Sequence, residues 1–359
     1  MRLKAVYQGR MSIVMRILPA VLLSAGAASA VPPLSVSLAG TTAAPAAAPA
    51  EAPPRAFFEA LRAADLRLAT IGYRLTSANA ALCDRLQPQI GMPIHALTQY
   101  APAARASAAS VFGFESLIGV EAVVAGAPAQ RAGIAANDSL VAIGDVALPG
   151  SPPANAPENA ASRDTAEAAI AAAPLRQPLR LTVLRKGQRQ SIAVTPVTGC
   201  RSRFEILLGS GLDASADGSV VQIGERFFEG YTDAEIAVVV SHELAHNILR
   251  HRARLDAAKI NRGLLAELGR NGRLIRETED QADLLGIYLL ANAGYDPMSA
   301  PNFWRNKGGA VDGGLFRSRT HASSKARAET LEAAARSIAA NPARPIIPAV
   351  VATRTVPLR

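Results

Sequence analysis

The sequence predicts an α+β protein: a mainly helical C-terminal half with a small edge sheet, joined to a β-rich block in the middle of the chain. Three observations carry this expectation. Apolar residues recur three and four apart at Leu61, Ala64, Leu68, Ile71, Leu75, Ala78 and Leu82, the buried stripe of an amphipathic helix. Between Leu179 and Val194 the period changes to two, with Leu179, Leu181 and Val183 alternating with other residues, a Lys186-Gly187 turn, and the alternation resuming at Ile192 and Val194. That is a hairpin. Further on, Thr232-Asp233-Ala234-Glu235 forms a capping box, in which hydroxyl and carboxylate each satisfy the other residue's backbone N–H, so a helix starts there.

Composition bounds the function. The 359 residues carry 38 Lys and Arg against 29 Asp and Glu, a net charge of +9, but four of those excess charges (Arg2, Lys4, Arg10 and Arg16) lie in an acid-free leader. Elsewhere basic residues are scattered among acids, and no basic run is interleaved with aromatics, so no nucleic-acid partner is expected. Much of the 49% hydrophobic content is alanine. No stretch reaches 18 uninterrupted apolar residues, which argues against a polytopic membrane protein.

The leader accounts for its own charge. A basic segment precedes the apolar run Ile17 to Ala30, which ends in Ala28-Ser29-Ala30, the small-x-small pattern of a signal-peptidase site. Cleavage after Ala30 and export to a periplasmic or similar compartment are expected, with peripheral membrane contact left open. In an oxidising compartment the two cysteines, Cys83 and Cys200, are able to pair. After an Ala- and Pro-rich spacer through Pro54, the chain divides into a helical segment at 55–110, a β-rich domain at 111–197, a mainly helical domain at 198–340 and a tail at 341–359.

Within the β-rich block, Phe112-Gly113-Phe114 comes first, Val120 to Val124 is strand-like, and a helix begins near Asp164 after a Pro- and Ala-rich insertion from Gly150. Gly126, Pro128, Ala129, Ala132, Gly133 and Asp138 match the "G-x-P-A-x-x-A-G-x-x-x-x-D" segment of bacterial protease-associated PDZ domains, which this block resembles. The resemblance implies that an extended peptide adds a strand to an open sheet edge, with its C-terminal carboxylate on backbone N–H groups near Phe112, Gly113 and Phe114.

The helix opened by Thr232 runs into Ser241-His242-Glu243-Leu244-Ala245-His246, an H-E-x-x-H arrangement. Residues four apart lie about 40° apart around a helix, so His242 and His246 can aim two imidazoles at one tetrahedral cation, with Glu243 flanking the remaining position. A third donor must come from another element. Glu279 and Asp283, four apart on one helical face just before the helical run Leu284 to Ala293, are the candidates. His251 lies nine residues after His242, on the opposite side of an ideal helix, and is excluded as a ligand. His95 falls outside the catalytic half and is expected to be structural or on the surface.

From about residue 199 to 337 these motifs resemble the gluzincin metallopeptidases: the CAAX prenyl endopeptidases, the HtpX heat-shock proteases and their soluble periplasmic relatives. Beyond H-E-x-x-H the shared stretches are E-x-x-A-D at Glu279, Ala282 and Asp283, Ala293-Gly294-Tyr295-Asp296-Pro297, and a T-H-P-x-x-x-x-R pattern at Thr320, His321 and Arg327 with Ala322 in place of proline. An N-A-x-A segment is represented by Asp213-Ala214-Ser215-Ala216, with Asp for Asn. The resemblance implies a zincin catalytic domain, Zn2+ on His242, His246 and Glu279, and Glu243 as general base. It places Asp283 and Arg327 behind the ligands and gives His321 a role at the oxyanion or the fourth zinc position. Polypeptides are the implied substrates, pairing with an edge strand around Ser219 to Ile223. The alternative is a zinc-stabilised PDZ scaffold that binds chain termini without cutting them. Against it, a purely structural zinc site has no need of Glu243. No G-x-S-x-G elbow occurs. Oligomeric state is left open.

Overall fold

The computed structural model describes residues 53–152, 155–260, 269–311, 322–341 and 343–358. The expected signal peptide, nearly all of the spacer, and His321 lie outside them. In chain order, α1 (Arg55–Ala78) precedes β1 (Leu86–Gln89), β2 (Ile94–Ala96), α2 (Arg105–Phe112), β3 (Ile118–Val120), α3 (Pro128–Arg131), β4 (Ser139–Ile143), β5 (Val146–Ala147) and α4 (Ala161–Ala171). The hairpin β6 (Leu179–Arg185) and β7 (Gln188–Val194) leads into β8 (Val197–Cys200), β9 (Arg203–Leu207), β10 (Ala214–Ala216) and β11 (Val220–Gly224). Helices α5 (Phe227–Gly230), α6 (Asp233–Ile248), α7 (His251–Ala257), α8 (Gly269–Asn292), α9 (Ser299–Asn306), α10 (Gly308–Val311) and α11 (Ser324–Ala339) follow.

The apolar stripe of α1 does what its spacing demands, but for two cores at once. Leu68, Ile71 and Leu75 are buried in the C-terminal core with Ile206, Val221, Ile236 and Leu289. About two to three turns earlier, Phe58 and Leu61 pack with Tyr100, Val111 and Phe112 in a separate cluster. The expected helical segment at 55–110 is therefore shared between its neighbours, because burying both ends of one long stripe requires two partners.

The middle sheet is antiparallel with order β2-β3-β4-β6-β7, and β5 pairs with β4. Its core holds Ile94, Ile118, Leu140, Leu181 and Val194, closed by Ile170 of α4. The first strand, β2, lies ahead of the expected boundary at 111, since Ile94 pairs with Val120 and Ala96 with Ile118. Regular pairing in β3 stops at Val120 rather than Val124, where the chain bends and Val124 N–H donates to the Gly91 carbonyl at 2.9 Å. At the hairpin, Lys186 and Gly187 both take positive φ, 54° and 74°, the type I′ geometry that matches strand twist. The Glu115 carboxylate holds this turn by accepting the N–H groups of Lys186 and Gly187.

The C-terminal half has a three-stranded sheet, order β10-β11-β9, with β11 parallel to β9 and antiparallel to β10. Its helices bury Val240, Leu244, Leu285, Leu289, Phe303 and Leu331 in one core. The tail joins it: a 3-10 turn at Ala349–Thr355 buries Val350 and Val351. Cys83 and Cys200 form a disulfide with Cα atoms 5.5 Å apart, tying the chain after α1 to β8. Among the described residues no helix is long and apolar enough to cross a membrane.

Candidate metal centre

Helix α6 starts where its capping box requires. Thr232 Oγ1 accepts from Glu235 N–H at 3.3 Å while Glu235 Oε2 accepts from Thr232 N–H at 2.8 Å, and Asp233 and Glu235 complement the positive end of the helix dipole. Val238, Val239 and Val240 are all buried, so α6 runs through the interior and carries His242 and His246 with it. Helix α8 lies close against α6 at Gly286, where a Cβ would sit 3.3 Å from the backbone nitrogen of His242. Glu279 and Asp283 are within α8, which begins ten residues earlier at Gly269; the expected helix start near Leu284 is too late.

Three donor atoms converge. His242 Nε2 lies 3.2 Å from Glu279 Oε2 and 3.2 Å from His246 Nε2, and His246 Nε2 is 3.6 Å from Glu279 Oε2. Neighbouring ligands around a tetrahedral zinc with bonds of about 2.0–2.1 Å stand about 3.3 Å apart, so the set fits that ion. Among the described residues, His242, His246 and Glu279 are the group so arranged.

Behind His242 the polarity is set by Asp283, whose Oδ1 lies 2.9 Å from His242 Nδ1. A carboxylate can only accept here, so Nδ1 carries the hydrogen and Nε2 is the atom turned to Glu279 and His246. Arg327, from the first turn of α11, donates Nε to Asp283 Oδ2 at 2.6 Å and Nη2 to Oδ1, and its guanidinium stacks 3.3 Å from the Trp304 ring centre. Burial pushes the Asp283 carboxyl up, but Arg327 and the His242 hydrogen bond outweigh it and hold the group at about 2. For His242 burial opposes the charge, yet the hydrogen bonds to Asp283 and Glu279 prevail and raise it to about 10 in the metal-free protein.

Glu243 is half-buried on the next position of α6 and lines a cleft of about 270 Å³ with His242, His246 and Glu279. Ala214 and Ala216 of β10 form the opposing rim. This corrects the expected substrate strand: β11 is paired on both sides, so Ser219 to Ile223 has no free edge there, whereas β10 is the outermost strand on the cleft side.

His251 is, as expected, not among the converging donors, but it does not lie on the far side of the helix. Helix α6 ends at Ile248 and Arg250 takes φ 57°, so α7 restarts in a new direction and the ideal-helix projection fails. His251 Nδ1 lies 3.0 Å from His246 Nδ1, and burial followed by the charges of His246 and Arg254 holds its pKa down to about 2. No sequence spacing signals this contact, because it depends on a left-handed residue outside glycine.

At the three residues expected to hold a peptide carboxylate, the N–H groups of Gly113 and Phe114 donate to the Ala109 carbonyl instead. Phe112 ends α2 and is 1% exposed, with its ring 5.7 Å from that of Phe58 and 4.6 Å from that of His95. Gly113 takes φ 63° to close the helix, and Phe114 stacks on His95 at 4.5 Å. These apolar rings are core material: the aromatic cluster under α1 claims them. His95 itself is buried, with Nδ1 2.9 Å from the Tyr100 hydroxyl, so it is structural. A larger cavity, about 510 Å³, lies between α1, the β1–β2 segment, α4 and the chain around β9 and β11, with Leu68, Tyr73, Ile90, Glu167, Arg203 and Ser219 in its lining beside the Ala168, Ile170 and Ala171 face of α4.

No family model matches the chain. Over 118 residues it is 32% identical to the mitochondrial metalloendopeptidase OMA1 of Arabidopsis thaliana, an alignment covering 28% of this chain and 24% of that protein. The chain thus spans about a quarter of the length of that curated relative. Among solved structures it is similar to the HtrA-type protease AlgW with decapeptide, at 21% identity and a TM-score of 0.23, over 32% of this chain and 30% of that one.

Proposed function

We propose that the chain is an exported zinc endopeptidase that hydrolyses polypeptides, damaged or misfolded envelope proteins among them. One observation carries the reading: His242 Nε2, His246 Nε2 and Glu279 Oε2 face one point at 3.2–3.6 Å from one another. The partial similarity to a metalloendopeptidase supports it. Export is supported by the Cys83–Cys200 disulfide, a bond kept in oxidising compartments.

His242, His246 and Glu279 would hold a zinc ion, which when bound would supply Lewis acidity to a water and to the scissile carbonyl. The side chains divide the remaining work. Glu243, beside both histidines and open to the cleft, takes the proton of the attacking water and delivers it to the leaving amine. Asp283 keeps the hydrogen of His242 on Nδ1, and Arg327 neutralises the carboxylate so that it stays ionised in a buried place. The free edge of β10 offers backbone groups to an extended substrate. His321, outside the described residues, is read as a donor to the oxyanion or an occupant of the fourth zinc position.

Polypeptide capture by the middle sheet is assigned to the β2–α4 cavity in place of Phe112, Gly113 and Phe114. There Ile90, Met92 and Ile94 share the lining of the cavity of about 510 Å³ with Ala168, Ile170 and Ala171 and with charged residues such as Glu167 and Arg203, beside a strand paired only with β3 among the described residues. The deciding experiment measures zinc content by elemental analysis alongside degradation of an unfolded protein, for wild type and Glu243→Gln. One zinc per chain in both, with cleavage only in wild type, is expected; absence of zinc, or normal cleavage by the variant, overturns the reading.

A further inference from the structure

We propose that His251, held by Gln281, is a positioning residue that selects the tautomer of His246. The proposal rests on the reading of His242, His246 and Glu279 as a zinc site, and it begins from the opposite side of the ring. Each metal-binding imidazole needs its second nitrogen to carry the hydrogen. For His242 a carboxylate enforces this. Among the described residues no carboxylate is hydrogen-bonded to His246 Nδ1; its neighbour is His251 Nδ1 at 3.0 Å, and two identical ring nitrogens leave the direction of the bond undecided.

Gln281 decides it. Its Oε1 accepts from Arg254 Nη1 at 2.8 Å and from the Thr353 hydroxyl at 3.2 Å, while its Nε2 donates to Glu277 Oε1 at 3.0 Å. Arginine has no acceptor and a carboxylate no donor, so the amide can sit only one way round. His251 Nε2, 3.2 Å from the same oxygen, must therefore be the protonated nitrogen. In a neutral ring that leaves His251 Nδ1 as an acceptor, which receives the Nδ1 hydrogen of His246 and leaves His246 Nε2 with its lone pair toward His242 and Glu279. The chain of constraint thus runs from Arg254 and the C-terminal turn, through Gln281 and His251, to the second histidine of the metal trio. His251 is buried to 1% exposure, so water does not substitute for it.

The test reads zinc affinity and tautomer rather than turnover, on the full chain. Competition with a chromogenic chelator should show zinc binding weakened about 10- to 100-fold in His251→Phe, which keeps a planar ring without the acceptor. His251→Asn, whose amide oxygen takes the place of Nδ1, should recover most of that loss. Long-range 1H–15N spectra of the wild type should place the hydrogens on Nδ1 of His246 and Nε2 of His251, a signature that bulk packing does not produce and that needs no variant to fold. Zinc binding by His251→Phe within twofold of wild type, equal losses in Phe and Asn variants, or a hydrogen on His251 Nδ1 would each overturn the assignment. Failure of the wild type to bind zinc would instead remove the underlying metal site, and the spectra would still decide the tautomer relay.

Discussion

Replacing Asp283 with asparagine keeps the outline of the side chain and removes its charge, which isolates what the carboxylate does. In the metal-free protein its pKa falls from 3.8 to about 2. At about 1.36 kcal/mol per unit this corresponds to roughly 2 kcal/mol of folding stability. The sign follows from the direction: a depressed acid contributes fully above its unfolded pKa near 4, and the contribution is lost as pH falls toward 2. Arg327 adds to the cost, because its guanidinium is 6% exposed and would lose its anion, moving the total toward the about 3–5 kcal/mol typical of a broken buried pair. Urea unfolding of metal-free wild type and Asp283→Asn at pH 7, 5, 4 and 3 should show a gap of at least about 2 kcal/mol that narrows with acid. The variant should also bind zinc about 10- to 100-fold more weakly. A gap that does not narrow, or unchanged zinc affinity, would refute the claim that this carboxylate works as a charged partner of both Arg327 and His242.

Other consequences can be checked in parallel. His242, raised from 6.5 to about 10 without metal, stabilises the metal-free fold fully below about pH 6.5 and ceases to do so as pH rises through 10. Zinc displaces that proton, so affinity should rise about tenfold per pH unit between pH 7 and 9, with one proton released per ion in titration calorimetry across buffers of different ionisation heat. Glu243→Gln should retain zinc while kcat on a short peptide falls about 10²- to 10⁴-fold. Converting both cysteines of the Cys83–Cys200 bridge to serine should cost about 2–5 kcal/mol in chemical denaturation under non-reducing conditions. Ala168→Arg should block a fluorescent peptide from the β2–α4 cavity, measured by anisotropy, while short-peptide turnover continues.

Local signals in the chain were legible where a spacing or cap acts within a few residues. The Thr232 and Glu235 box placed the start of α6, the alternation around Lys186 and Gly187 placed the hairpin, and four-residue spacing put His242 beside His246. The same logic failed at His251, because one residue in the left-handed region at Arg250 redirects the helix and no periodicity reports it. It failed again at Phe112 to Phe114, where a turn-like Phe-Gly-Phe is a helix end packed on α1. The free edge also escaped it: β11 and β10 read alike as short strands, and only pairing shows which one is outermost.

Neighbouring residues alone were enough for α1, the start of α6, the hairpin, the H-E-x-x-H pair and the acids of α8, since helix and strand periods are local properties. Only the tertiary structure decided that Glu279 meets both imidazoles, that Asp283 is shared by His242 and Arg327, and that His251 backs His246. Those contacts join positions 5 to 44 residues apart in sequence, and they depend on how closely α6, α8 and α11 pack and on where each helix stops. Side-chain periodicity carries no information about either quantity.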